Sequence, residues 1–216
     1  MKLIVVAASG LAREALNVAR LLGRATEVRM LDDDPGLWGT SVGGHPVVGG
    51  LELAGEYDDH QFLVCAGRGS ARRGIVDRLA RQGVTRDRYA PLVHPDVRVP
   101  VGCSVGRGSV VLAGAVLTAD VRIGDHAVVM PHVTLTHDDV VEDFATLCAG
   151  VALGGGVRVR QGAYLGMGCS VREGLVVGVD ATLGMGATLV RDLPDGETWA
   201  GTPARSLESS RLLGGA

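Results

Sequence analysis

The sequence predicts an α/β chain in two parts: a Rossmann-like βαβ unit, then a parallel β-helix of hexapeptide repeats. Three observations carry this. Every sixth residue from Val99 to Leu189 is Val, Leu or Ile, running Val99, Val105, Val111, Leu117, Ile123, Val129, Leu135, Val141, Leu147, Leu153, Val159, Leu165, Val171, Val177, Leu183, Leu189. A period of six fits neither an amphipathic helix nor an alternating strand, but it fits coils whose flats each turn one aliphatic inward. A second register follows four residues after each of these positions: Cys103, Ser109, Ala115, Val121 and so on to Ala187. It is small or apolar throughout, as a narrow interior requires, except at Asp139. The third observation is that residues 1–90 follow a different pattern, in which short apolar runs alternate with helical ones.

The elements follow in order. Lys2 to Ala7 is an apolar run that reads as a buried parallel strand, and Ala8-Ser9-Gly10 is a turn. Residues 11–22 place Leu11, Ala15, Val18, Leu21 and Leu22 at helical spacing. Glu27 to Leu31 reads as a second strand ending in Asp32-Asp33-Asp34, and Phe62 to Ala66 as a third, followed by Gly67-Arg68-Gly69. Residues 70–83 form a second helix with Ile75, Val76 and Leu79 on one face. Strands alternating with helices imply a parallel sheet. The glycine-rich segment 36–60 reads as loops with a short edge element. Gly106, Gly124, Gly154, Gly166, Gly178 and Gly184 directly follow inward positions and mark corners. After Leu189 the repeat stops, and Trp199 to Arg205 reads as an exit loop. The divisions are 1–90, 91–205 and a tail at 206–216.

Composition narrows the function. A net charge of −3 gives no reason to expect nucleic acid or an anionic membrane as partner. Cys65, Cys103, Cys148 and Cys169 lack C-x-x-C spacing, so neither a zinc knuckle nor a redox pair is indicated, and no metal is expected. No stretch approaches a membrane span and no leader pattern opens the chain, which implies a cytoplasmic protein with reduced thiols.

Ligands of open parallel sheets bind beyond the carboxyl ends of the strands. That lines up Ser9 and Gly10, Asp32 and Asp33, and Gly67 and Arg68 along one edge. A glycine turn opening a helix offers N–H groups to a phosphate, and an acidic pair accepts hydrogen bonds from a ribose or base. The full G-x-G-x-x-G fingerprint is absent, which disfavours a nicotinamide cofactor.

The chain resembles the bacterial sialic-acid O-acetyltransferase and UDP-4-amino-sugar N-acetyltransferase family from Ile4 to Arg205. The residues that carry the resemblance are Ala8-Ser9-Gly10, Leu31-Asp32-Asp33, Leu92-Val93-His94-Pro95, Thr136-His137-Asp138, the stretch Leu183 to Val190, and Gly201-Thr202-Pro203-Ala204-Arg205. The resemblance implies a left-handed β-helix, a homotrimer, acetyl-CoA in the groove between neighbouring chains, and a nucleotide-linked amino sugar on the small domain. It implies that His137 is the general base and Asp138 its partner. Imidazole takes up protons near neutral pH, and an adjacent carboxylate orients the ring and supports its charge. One coil of about eighteen residues beyond His137 lies Gly155, where the family's acetyl-orienting glycine falls. Gly155, Gly156, Gly166, Gly168, Met185, Gly186 and Arg205 are then expected to line the acetyl-CoA path.

The sequence departs from the family in three places. Leu11 stands where a histidine is common, Gly67-Arg68-Gly69 where Gly-Asn-Asn is frequent, and Thr146 where a second coil histidine occurs. Two other functions fit parts of the sequence. A trimeric β-helix carbonic anhydrase would hold zinc on three histidines, for which His126, His132 and His137 are candidates. A non-catalytic sugar-nucleotide-binding subunit would keep the fold without turnover.

Overall fold

The structure, a computed structural model, describes residues 1–23 and 25–207. The small domain is built from β1 (Lys2–Val6), α1 (Gly10–Leu21), β2 (Glu27–Leu31), β3 (Ser41–Val42), β4 (His45–Gly49), β5 (Gln61–Val64) and α2 (Gly69–Arg81). The strands lie in the order β3-β4-β2-β1-β5, parallel except for the β3/β4 hairpin inside the segment the sequence reads as loops with a short edge element. Alternate residues serve opposite faces. Leu3, Val5, Met30 and Leu63 pack on α1, and Ile4, Val6, Leu31 and Phe62 pack on the α2 side with Leu79. Covering both faces explains the continuous apolar runs of β1 and β5.

Ser9 sets the start of α1. It is the N-cap, its Oγ accepting from Ala12 N at 3.2 Å and donating to Cys65 O at 2.6 Å. Beneath α1, the small-domain core continues into the coil through Leu92, Val110, Leu112 and Val128.

The coil has three faces, each a ladder of two-residue parallel strands. Face one stacks Val110, Val128, Thr146, Tyr164 and Thr182; face two Val116, Thr134, Ala152, Ser170 and Thr188; face three Ser104, Arg122, Val140, Arg158 and Val176. The inward residues from Val111 to Leu189 are buried and form one continuous core. Val99 departs from the predicted register: it is 42% exposed and lies in no strand. The ladder instead begins at Leu92–Val93, paired with Val110–Val111. Pro95 and Pro100 bracket the missing flat, and proline supplies no N–H to a ladder.

The exit also differs from the predicted loop. Leu193 bridges to Val177 and Trp199 pairs with Leu183, so the last rung continues in shortened form. Trp199 is buried at its end, and Thr198–Ala200 pairs antiparallel with Arg205–Ser206. Ser206 thus belongs to this hairpin rather than to a tail, and the tail from 208 onward lies outside the described residues.

One side chain fastens the small domain to the coil. Arg72, on α2, is fully buried. Its Nε donates to His126 O at 2.9 Å. Nη1 donates to Ala66 O and Gly67 O, and Nη2 to Phe144 O, Ala145 O and Thr146 Oγ1, all between 2.8 and 3.0 Å. Every acceptor is a neutral oxygen. Burial pushes the guanidinium down to about 10, so it stays charged near neutral pH. Its charge is dispersed over carbonyls from both units, and a lysine cannot reproduce that planar fork. Arg72→Lys should therefore lower stability by about 3 kcal/mol or more, read as a drop in the urea midpoint. A midpoint unchanged from the parent would contradict this role for Arg72.

Candidate active site

His137 stands on the edge where faces two and three meet, in the corner between strands Thr134–Leu135 and Val140–Val141. The side chain is exposed (69%), as its place two residues after inward-facing Leu135 requires. Asp138, next in sequence, adopts a left-handed backbone with φ 65°. Its Oδ2 lies 2.8 Å from His137 Nδ1. With Nδ1–H donated to that carboxylate, Nε2 keeps its lone pair.

Eighteen residues on, the Gly154-Gly155-Gly156 turn passes beneath the imidazole, and Gly156 N donates to His137 O at 2.8 Å. A Cβ on Gly155 would overlap the ring at Nε2 and Cε1. Glycine at this position makes room for the histidine itself. Gly154 N–H and Gly156 N–H are bonded within the coil, whereas Gly155 N–H has no acceptor among the described residues.

Asp139 points into the prism and is fully buried. Its Oδ2 accepts from Thr136 N at 2.7 Å and its Oδ1 from Val157 N at 2.8 Å. Burial pushes the carboxyl up to about 6, against the opposing pull of these two N–H groups.

The residues expected on the small domain divide between two sides of it. Ser9 and Gly10 line a cleft of about 350 Å³ with Ala8, Arg13 and Ser41 to Gly43. The first turn of α1 carries no acidic residue, so its positive end is uncompensated. Asp32 shapes this cleft rather than lining it. Its Oδ2 accepts from Ala8 N at 2.7 Å and its Oδ1 from Asp34 N at 2.9 Å. Asp33 turns to the α2 side, where it is ion-paired with Arg78, whose guanidinium holds the Asp33 carboxyl below its usual range. Gly67 and Arg68 line a second cavity of about 510 Å³ against face one, with Leu11, Ala71, Val128, Met130, Thr146, Cys148 and Tyr164. The Arg68 guanidinium lies 4.3 Å over the Tyr164 ring.

The expected acetyl-CoA residues also fall on more than one edge. Gly155 and Gly156 share the His137 edge. Gly166, Gly168, Met185 and Gly186 lie where faces one and two meet, with Gly186 N bonded to Met167 O at 2.8 Å and Met185 72% exposed. Arg205 extends that edge through the closing hairpin. The two sets flank face two.

Known structures locate this architecture. The hexapeptide model for bacterial transferases matches residues 92–137. The acetyltransferase domain of PglB from Neisseria gonorrhoeae FA1090, solved in complex with acetyl coenzyme A, is 34% identical with a TM-score of 0.87, over 95% of this chain and 98% of that one. PerB from Caulobacter crescentus, in complex with CoA and GDP-perosamine, is 30% identical with a TM-score of 0.86, over 95% and 97%. WeeI from Acinetobacter baumannii AYE is 26% identical with a TM-score of 0.85, over 96% and 100%. No curated protein sequence matches the chain. The chain belongs to the bacterial β-helix sugar acetyltransferases.

In this acetyltransferase the three candidate zinc histidines occupy three different edges of the prism. His126 is buried, stacked on Phe144 with ring centroids 5.2 Å apart, and burial pushes it down to about 4. Thr146, where a second coil histidine occurs in the family, lies at the domain interface. Its hydroxyl donates to Gly67 O at 3.1 Å and accepts from Arg72, on a different face from His137. Sequence reasoning passed over Arg72 and Tyr164. The signal for Arg72 was its place on the apolar stripe of α2, at helical spacing from Ile75, Val76 and Leu79; Tyr164, outward in the repeat, gave none.

The Asp139 carboxyl holds its proton more tightly in the folded protein than in the unfolded chain. Its contribution is therefore most favourable below the ordinary value near 3.8 and is lost as pH rises through about 6. Relative to Asp139→Val, the parent should lose stability between about pH 4 and 6, by at most about 3 kcal/mol. Urea midpoints of both proteins across that range check this; a constant difference would contradict it.

Proposed function

We propose that the protein transfers an acetyl group from acetyl-CoA to the amine of a nucleotide-linked amino sugar, at sites formed between the chains of a homotrimer. The observation that carries this reading is the arrangement of one chain. The small domain packs on face one, while His137 stands on the opposite edge, where faces two and three meet. A substrate held on the small domain therefore meets the His137 of a neighbouring chain. The sugar nucleotide takes the α1 cleft with its phosphates at the helix N-terminus, and its sugar extends into the cavity beside Gly67 and Arg68. Asp32 holds the loop that shapes the cleft. The intact His137–Asp138 pair and the family's acyl chemistry favour turnover over a binding subunit. The work belongs in the cytoplasm, a placement supported by four free cysteines. No helix among the described residues is long and apolar enough to cross a membrane.

The chemistry follows from the corner. The sugar amine attacks the thioester carbonyl carbon, and His137 Nε2 takes the proton that the nitrogen sheds. Asp138 holds the ring by Nδ1 and offsets the charge it gains. The tetrahedral oxyanion needs a donor already in place, and the Gly155 N–H, which has no acceptor among the described residues, lies on the turn that packs against the imidazole. The C–S bond then breaks and the imidazolium returns its proton to the departing CoA thiolate. The exposed wall of Gly166, Gly168, Met185 and Gly186, continued by Arg205, accommodates the pantetheine arm and nucleotide of CoA.

His137→Ala should keep the trimer and acetyl-CoA binding while kcat falls by about 10²–10⁴-fold, measured with a panel of nucleotide-linked amino sugars and mass spectrometry of the product. Near-normal kcat in His137→Ala would overturn the mechanism, and an ester rather than an amide product would assign O-acylation.

Gly155→Ala should fold, because Gly155 lies outside the left-handed region, but its methyl group displaces the imidazole. A shift near 1 Å costs on the order of 10²-fold, so kcat should fall by about that factor. Full activity in Gly155→Ala would mean the ring can move without consequence.

A further inference from the structure

We propose that Asp139 is a positioning residue for the general base: its buried carboxylate reshapes the coil at one corner so that His137 is held over Gly155. The inference rests on His137 acting as the base.

The observation is a local break in the ladder. On the edge where faces two and three meet, the first corner residue of a rung donates its N–H to the following rung. Thr118 N bonds Leu135 O at 3.1 Å, Gly154 N bonds Val171 O at 2.9 Å, and Arg172 N bonds Leu189 O at 3.0 Å. Thr136, the equivalent residue beside His137, does not follow. Its N–H goes to Asp139 Oδ2 at 2.7 Å, and Leu153 O is taken by the Thr136 hydroxyl at 3.1 Å. The strand pairing reflects the same missing bond: Thr134 pairs with Ala152, and the pairing does not extend to Leu135 and Leu153.

Polarity in this register does not by itself cause the break. Ser109 is also buried and polar, donating to Gly124 O and accepting from Ala127 N, yet Gly106 N keeps its ladder bond to Ile123 O at 2.8 Å. The carboxylate differs in having two acceptor oxygens and no proton to give. One oxygen closes a ring across the corner from Thr136 to Asp139, which encloses His137 and Asp138. The other holds Val157 N, one residue beyond the Gly154-Gly155-Gly156 turn under the imidazole. One side chain thus ties together both surfaces of the His137–Gly155 contact. Burying a carboxylate without a cation is unfavourable, and the residues stacked one rung before and one rung after it, Val121 and Val157, are both valine. The coil does not need an acid there to fold.

That contrast supplies the test. Asp139→Val restores the apolar register and frees Thr136 N–H to return to Leu153 O. The expected result at pH 7 is a Tm equal to or above the parent's and a crystal structure with the regular ladder bond and a displaced His137 ring. In the same variant kcat should fall by about 10–100-fold, with KM for acetyl-CoA changed by less than about twofold. Asp139→Asn, which keeps one acceptor oxygen, should fall between valine and the parent. An Asp139→Val enzyme with kcat within about twofold of the parent's overturns the proposal. So does a loss of activity that only tracks a lowered Tm or a lost trimer, which would make Asp139 a fold residue. Should the valine variant fail to fold, Asp139→Asn with full kcat overturns it equally. If the parent itself transfers no acetyl group, the functional reading fails separately, and the His137 ring position in the variant crystal still decides whether Asp139 sets this corner.

Discussion

The eighteen-residue coil ladder is the constraint on which the rest of the structure depends. Parallel backbone pairing ties each flat to the flat of the next rung, so residues eighteen apart are stacked whatever their side chains. The stacking places Gly155 under His137 and assigns each corner to one of three edges. It also fixes what a single chain cannot do. Once the small domain covers face one, no bending of the stiff coil brings the His137 edge round to it. Assembly of chains is the natural way to bring His137 to the clefts of a small domain.

Arg72 and Asp139 are the two buried acid or guanidinium side chains among the described residues, and both are used mainly on backbone rather than on each other. Arg72 collects neutral oxygens from the small domain and the coil; Asp139 collects N–H groups from two successive rungs. A buried ion of either sign is tolerable only where such dipoles converge on it. Each ion sits where two pieces must hold a fixed relation: small domain to face one, and imidazole to Gly155. The surface ion pairs, such as Lys2–Asp59 or Arg29–Glu27, are solvated and add little by comparison.

The coil was legible because its signal repeats: one aliphatic in six over many rungs fixes both register and the outward direction of His137. The βαβ order was legible for a similar reason, since buried parallel strands and an amphipathic helix have distinct periods. Ends were less so. Val99 matched the period but lies between prolines that keep it out of the ladder, and the shortened last rung hides a strand in what looks like a loop. The site was partly legible. His137, Asp138 and Gly155 come together by the arithmetic of the coil. Asp33 gave no warning that it pairs with Arg78, because α2 is far from it in sequence. Asp139 was visible as an anomaly, but its two backbone partners depend on geometry that no one-dimensional pattern encodes.

The central claim is that the active site lies between chains, and mixed trimers test it most directly. His137→Ala removes the proposed base but leaves the small domain whole. Ala71→Trp fills the cavity beside Gly67 and Arg68 but leaves the base. Each variant alone should be nearly inactive. Trimers assembled from both, purified through two different tags, contain junctions where an intact small domain faces an intact His137. Acetyl transfer well above that of either variant alone is the predicted result. Mixed trimers as inactive as their parents would place the whole site within one chain and contradict the account.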